Sequence, residues 1–203
     1  MGQDRAVSTY LMTDRLVLRP FTGAAADVDL LTELNSDPAV MRYLTGGRPV
    51  PREVVEREVL PGYLDTYRRN PSFGHWAAID RAGGEFLGWF EFRLDPAPGP
   101  DGRQEGGRDQ GRDVELGYRL RQAAWGRGYA TEGSLALIRH GFTALGVARV
   151  HAVTMAVNRG SRRVMEKAGL RLVRTFHEDW DEPVEGAEHG EVEYALERAD
   201  WRP

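Results

Sequence analysis

The stretch from Asp113 to Leu145 constrains this chain more than any other. Val114 to Leu120 reads as a strand, followed by a short polar turn, Arg121 to Ala124. Then comes a glycine-rich corner, Trp125-Gly126-Arg127-Gly128-Tyr129-Ala130-Thr131. Beyond it Leu135, Ile138, Phe142 and Leu145 recur at a spacing that predicts an amphipathic helix. A strand, a glycine corner and a helix start make an anion site. Glycine lets a ligand approach the backbone, and the first-turn N–H groups of a helix have no intrahelical partners. Those donors and the positive end of the helix dipole suit a phosphate or pyrophosphate, and Arg127 adds a cation. No G-x-x-x-x-G-K-[ST] run is present, so the corner is not a P-loop. It is also a poor dinucleotide fingerprint, because Thr131 stands where a third small residue belongs.

The rest of the chain supplies a sheet and its covering helices. Residues 1–10 read as a loose terminus. Arg15 to Arg19 alternates polar and apolar before Pro20 and reads as a strand. Asp27 to Asn35 reads as a helix that stops before Asp37-Pro38. Pro51-Arg52-Glu53 opens another, which Pro61-Gly62 should break or kink. His75 to Ile79 and Phe86 to Leu94 are strands about the turn Arg81-Ala82-Gly83-Gly84. Asp95 to Arg112 holds five glycines, three prolines and one apolar residue, Ala97. It cannot bury a core and reads as a flexible hairpin extension between two strands that pair. Arg149 to Ala156 is a strand. Asn158 to Ala168 is a short helix ended by Gly169. Leu170 to Phe176 and Glu191 to Leu196 are the last strands, about an acidic loop, Glu178 to Gly190. The order predicts a mixed α/β layout, a central sheet with covering helices, in a single domain spanning residues 1–203.

Composition closes several routes. The 203 residues suffice for one domain with a sizeable core. A net charge of −4 gives no electrostatic case for nucleic acid or membrane partners. With no cysteine, disulfides, thiolate catalysis and cysteine-based zinc sites are excluded. No histidine pair has metal-ligand spacing on one helix face, so no metal site is expected. The N-terminus lacks an apolar signal core and no run approaches membrane-spanning length, so a cytoplasmic protein is the expectation.

The corner Trp125 to Glu132 resembles the GNAT superfamily of acyl-CoA-dependent N-acyltransferases, and within it the RimJ/RimL-like branch, whose corner looks like W-G-[KR]-G-Y-A-T-E. Trp125 stands where the general family pattern has Gln or Arg. A second segment, Asn158-x-x-Ser161-x-x-Val164-Met165-Glu166-Lys167-x-Gly169-Leu170, is similar to the family's N-x-x-[AS]-x-x-[VL]-x-E-K-x-G-[FL]. The opening Thr13 to Pro20 looks like the branch's usual start. The resemblance covers roughly residues 11–200, with its strong motifs in 113–171. It implies a GNAT-like fold: a mostly antiparallel sheet of about seven strands, splayed at the acyl-CoA site and covered by about four helices. It implies acetyl-CoA as co-substrate, with the pantetheine arm bonding the backbone of Tyr118, Arg119 and Leu120 where the strand splays at a bulge. The pyrophosphate is expected on Arg127, Gly128, Ala130 and Thr131, with Gly126 and Tyr129 in the same loop, and Asn158 on the pantetheine. Dimers are common in the family, so a homodimer is the oligomer it allows, and the 95–112 extension could mediate or block it.

The implied chemistry is attack of a neutral amine on a thioester within a ternary complex. A general base and a general acid each contribute typically about 10²–10⁴-fold. Many family members carry a tyrosine acid where this chain has Met165. RimL-like enzymes look as if they use the serine at Ser161, a position that also suits a helix-cap serine. Glu115 is the favoured base, on a strand face shared with Gly117 and Arg119 unless a bulge shifts it. Its plainer reading is a salt-bridged glutamate, and Glu91 is a second candidate. Glu132 is expected to cap or orient the loop. His75 could line the acceptor site, and Trp76, Trp89 and Trp125 are expected to pack. The acceptor amine is a protein N-terminus or a small molecule. The alternatives are a transferase for a longer acyl-CoA and a non-catalytic acyl-CoA-binding sensor, the latter kept open by Met165.

Overall fold

The computed structural model describes residues 9–95, 112–178, 180 and 182–202. One sheet of eight strands organises it, in the order β1-β2-β3-β4-β5-β6-β8-β7. The strands are β1 (Leu11–Met12), β2 (Leu16–Pro20), β3 (Gly74–Asp80), β4 (Phe86–Leu94), β5 (Arg112–Leu120), β6 (Val147–Met155), β7 (Arg171–Phe176) and β8 (Glu191–Glu197). Every neighbouring pair is antiparallel except β5 and β6. The helices are α1 (Ala25–Leu34), α2 (Pro38–Thr45), α3 (Arg52–Val54), α4 (Leu60–Arg69), α5 (Tyr129–Ala144) and α6 (Arg159–Lys167). No helix among the described residues is long and apolar enough to cross a membrane.

Alternation sorts the strand residues to two faces. Leu116, Val114, Phe90, Phe92 and Trp76 belong to one core with Leu137, Ile138 and Phe142 of α5 and Met165 of α6. Ala77 and Trp89 point the other way, into a second core with Val28, Leu31 and Leu34 of α1 and Leu60 of α4. α5 seats closely because it carries glycine where the sheet is bulky. A methyl added at Gly133 would run into the Phe90 ring, and one at Gly141 would lie 2.7 Å from Phe92 Cζ.

The mixed α/β sheet is as expected, with differences in detail. Among the described residues there are eight strands rather than about seven, since Leu11–Met12 pairs with Val17 and Leu18. α2 is an additional helix. Its start is written in the sequence as Asp37-Pro38, where the Asp37 carboxylate accepts from Ala39 N–H at 2.8 Å and proline takes a first-turn position. Pro61-Gly62 breaks nothing, because a π-helical turn, Val55–Val59, joins α3 to α4 and relieves the turn that proline would crowd. Leu135 is exposed, and Leu137 takes the core position instead. Trp76 and Trp89 pack as expected, whereas Trp125 is half exposed, its indole donating to the Leu120 carbonyl at 2.8 Å. The strands flanking the 95–112 extension do pair, Leu94 opposite Val114, while residues 96–111 lie outside those described. In the acidic loop, Glu185 pairs with Arg42 of α2 at 2.6 Å and Glu182 with Arg48.

Candidate active site

The centre of the sheet is split. β5 and β6 pair in parallel only from Arg112 opposite Val147 to Glu115 opposite His151. Past Glu115, β5 continues to Leu120 against β4 while β6 continues to Met155 against β8. Among the described residues, the flank of Leu116 to Leu120 that would meet β6 therefore has no strand opposite it. The register irregularity lies at Arg112/Asp113, before the split rather than at it. The β4–β5 register is unbroken, so Glu115, Gly117 and Arg119 do share one face.

The corner stands at the open end of this split. A short turn, Gln122–Ala124, leads into it, and Gly126 and Gly128 adopt φ of +71° and +85°. These left-handed conformations let the chain reverse into α5, and at such angles only glycine is unstrained. Among the described residues no side chain caps α5; Gly128 holds the cap position, and the first return bond is Glu132 N–H to the Gly128 carbonyl at 3.0 Å. The first-turn N–H groups of Tyr129, Ala130 and Thr131 thus face outward without intrahelical acceptors. Glu132 anchors the turn to the β1–β2 loop. It accepts from Thr13 Oγ1 at 2.6 Å, Arg15 N–H at 2.9 Å and the Arg15 guanidinium at 2.6 Å. Burial would raise its carboxyl, but those donors outweigh burial and hold it below the usual range. Arg15 also donates to the Arg127 carbonyl at 2.9 Å, and both guanidiniums lie over the Tyr129 ring.

On the α5–α6 face of the split, Tyr118 Oη donates to the Ser161 carbonyl at 3.0 Å and lies 3.0 Å from Ser161 Oγ. Asn158, not Ser161, caps α6. Its Oδ1 accepts from Ser161 N–H at 3.2 Å and its amide donates to Thr154 Oγ1 at 3.1 Å. The Ser161 hydroxyl is therefore free of capping duty. Met165 is buried in the core. Burial pushes the Tyr118 phenol up, partly offset by Ser161.

The opposite face carries the carboxylates. Arg93 bridges Glu91 Oε1, at 2.6 Å, and Glu115. Burial raises the Glu115 carboxyl, the Glu91 charge adds to that, and Arg93 and His151 only partly offset it. Glu115 sits where β5 is still paired to β6, whereas Glu91 lies over Gly117 at the start of the split. A methyl at Gly117 would come within 2.8 Å of Glu91 Oε2. His75 stands 3.6 Å from Glu91 and stacks on Tyr63 of α4, ring centroids 3.7 Å apart. Among the described residues no three His, Cys, Asp or Glu side chains gather as a metal site would need.

The structure thus brings Ser161, Asn158 and Tyr118 together and places Glu115 across the sheet from them. The Tyr118 hydroxyl, the seat of Glu91 over Gly117 and the Tyr63–His75 stack are further site features. Only the register of β4 against β5 reveals the Glu91 seat, and the segment joining those strands is too long to fix a register from sequence.

Residues 15–171 match the acetyltransferase (GNAT) domain family. An FsC-acetyl coenzyme A-N(2)-transacetylase of Aspergillus fumigatus is 35% identical over 191 residues, 94% of this chain and 77% of that protein. Among solved structures, the RimL ribosomal alpha-N-protein acetyltransferase in complex with coenzyme A is similar at a TM-score of 0.70 and 18% identity, covering 94% of this chain and 98% of its own. A spermidine N-acetyltransferase from Vibrio cholerae, in complex with CoA and spermine, gives 0.69 and 15%, covering 93% and 98%. At such identities the two structures speak for the fold alone. The split sheet, the uncapped helix after a glycine corner, the family match over most of the chain and the N(2)-transacetylase relative lead to one conclusion: this chain belongs to the GNAT family of acetyltransferases.

Proposed function

We propose that the protein transfers an acetyl group from acetyl-CoA to a primary amine by direct attack with both substrates bound, in the manner of the RimJ/RimL-like branch. The observation that carries this reading is the strand β5 that loses its partner after Glu115 and runs into the uncapped start of α5. Pantetheine lies in the split as a surrogate strand along Tyr118, Arg119 and Leu120, reaching Asn158. The pyrophosphate sits on the first-turn N–H groups of Tyr129 to Thr131 with Gly126, Arg127 and Gly128 about it. The thioester then lies between the two faces, its sulfur toward the hydroxyl pair and its carbonyl toward the carboxylates.

The chemistry divides between those faces. The acceptor ammonium loses a proton to the Glu91–Arg93–Glu115 network, through Glu91 nearest the split and with Glu115 as its raised-pKa partner. The amine nitrogen bonds to the thioester carbonyl carbon and the C–S bond breaks; the departing thiolate takes the proton of Ser161 Oγ, the serine regains one from the proton that the nitrogen sheds as the neutral amide forms, and the proton first taken by the carboxylates leaves to solvent. Tyr118, whose hydrogen lies on the Ser161 carbonyl, stands beside the Ser161 hydroxyl and holds it in place. The hydroxyl pair supplies the donor that Met165 does not, which weakens the sensor reading. The acceptor is a small-molecule amine or a protein N-terminus; the 35% identical relative is named an N(2)-transacetylase, which supports transfer to nitrogen.

Free-thiol release from acetyl-CoA, over peptides and small amines, with calorimetric titration of acetyl-CoA in parallel, tests this. Binding with amine-dependent release is expected. Binding without release on any amine would overturn the transferase assignment, and no binding would overturn the placement of the donor. Longer acyl-CoA donors in the same assay read the chain-length preference.

A further inference from the structure

The sheet face that carries α1 and α4 is left open at one end. Val17, Ile79 and Phe86 lie side by side on β2, β3 and β4, Ile79 opposite both of the others. This row is the neighbour of the Ala77 and Trp89 level, which α1 covers. The three side chains line an open depression of about 540 Å³, with Leu30 of α1 beside them and Arg19, Asp80 and Arg81 around them. Small-ligand sites fall at about 300–1,000 Å³, with an apolar lining and a few polar groups that fix orientation.

The polar groups decide the charge of an occupant. Arg19 is taken by Asp27, at 2.7 Å. The Asp80 carboxylate is taken as well. It accepts from the N–H groups of Ala82 and Gly83, at 3.1 and 2.7 Å, and from the Tyr129 hydroxyl at 3.0 Å. Arg81 is different. Its Nη1 donates to the Thr13 and Asp14 carbonyls, at 2.8 and 3.2 Å, and among the described residues no carboxylate pairs with it. Its Nε and Nη2 edge has the fork geometry that takes a carboxylate through two parallel hydrogen bonds.

The same residues touch the glycine corner. Asp80 holds the Tyr129 hydroxyl, and the Tyr129 ring lies under the guanidiniums of Arg15 and Arg127. The Arg81 N–H donates to the Arg15 carbonyl at 2.8 Å, and Thr13 and Arg15 are the residues that hold Glu132. Two short routes therefore join the depression to the first turn of α5.

We infer that this depression is a regulatory site for a small amphipathic carboxylate, and that filling it weakens acetyl-CoA binding. The apolar body lies on Val17, Ile79 and Phe86 against Leu30, and the carboxylate lies on Arg81. An anion there repels the coenzyme phosphates and draws on the contacts that Arg81 makes with the Thr13–Arg15 loop. The coupling depends on the donor placement proposed above, whereas the carboxylate site does not.

Hexanoate is the probe, titrated into the full chain by calorimetry with hexanol and hexylamine as matched controls. Hexanoate is expected to bind about tenfold more tightly than either control, the worth of one hydrogen bond to a charged donor. Acetyl-CoA is expected to bind about 5–10-fold more weakly with hexanoate present, and hexanoate to lose the same factor with acetyl-CoA present, since coupling is reciprocal. Arg81→Met and Leu30→Glu are each expected to remove hexanoate binding and its effect, with acetyl-CoA affinity alone near that of the wild type. Tyr129→Phe is expected to keep hexanoate binding and reduce the coupling. Equal binding of the three probes, or hexanoate binding that both Arg81→Met and Leu30→Glu retain, would overturn the site. An equal effect of hexanoate on acetyl-CoA in Arg81→Met would mean competition at the donor site and would overturn the inference, as would hexanoate binding with no effect on acetyl-CoA. No acetyl-CoA binding under any condition would overturn the donor placement and the coupling with it, while the hexanoate titration would still decide the carboxylate site.

Discussion

Ser161 is an ordinary first-turn serine until its neighbours are counted. Asn158 takes the capping role, and Tyr118 brings a second hydroxyl from the strand across the way. The Tyr118 hydrogen lies on the Ser161 carbonyl, so in the proposed reaction the Ser161 hydroxyl carries the hydrogen for the thiolate. Ser161→Ala is expected to lower kcat about 100-fold, and Tyr118→Phe about 10-fold, each with acetyl-CoA affinity nearly unchanged. Pre-steady-state thiol release beside calorimetry checks both, and unchanged kcat in Ser161→Ala would assign the donor elsewhere. The place of Ser161 in the first turn after Asn158 was legible in the sequence. Tyr118 was legible only as backbone, since nothing in a strand pattern says that its hydroxyl meets a helix more than forty residues later.

At the scale of elements, glycine decides how near α5 comes to the sheet. Gly133 and Gly141 lie against Phe90 and Phe92, and a methyl at either meets an aromatic ring. Helix propensity favours alanine over glycine by about 1 kcal/mol, while overpacking a filled core costs about 1–3 kcal/mol. Gly133→Ala is therefore expected to destabilise. Gly62→Ala in α4 meets nothing within 4 Å and is expected to stabilise by up to about 1 kcal/mol. Urea denaturation of the two variants reads opposite signs if packing governs and the same sign if propensity does. Elements with long periodic patterns, α5 above all, were legible in the sequence. α2 was announced by Asp37-Pro38 and by little else, because its eight residues bury Met41 alone. Helix on both sides of Pro61 was legible, but the π turn that absorbs the proline was not, since it has no sequence signature.

For the whole molecule, the two faces of the sheet set how it answers acid. His75 is buried as a neutral ring between Tyr63 and Trp89. Unfolding frees it to take a proton below its ordinary value of 6.5, whereas the fold withholds one until about pH 3. Stability from this group is whole above pH 6.5 and is lost as pH falls toward 3. His75→Phe, which keeps the stack, is expected to flatten that limb, read as denaturation midpoints across the window. An unaltered acid limb would place the sensitivity elsewhere. The mixed sheet itself was legible from the order of elements, but the width of its split was not, because pairing is a contact between distant segments. That split also bears on how the protein keeps to itself. Without a ligand, β5 and β6 expose two raw edges in the middle of the sheet, the kind of template that recruits stray strands from other chains. Coenzyme bound as proposed would cover the β5 edge, and so act as a guard against aggregation as well as a reactant; light scattering during slow heating, with and without acetyl-CoA, would show the onset of aggregation moving ahead of any change in unfolding.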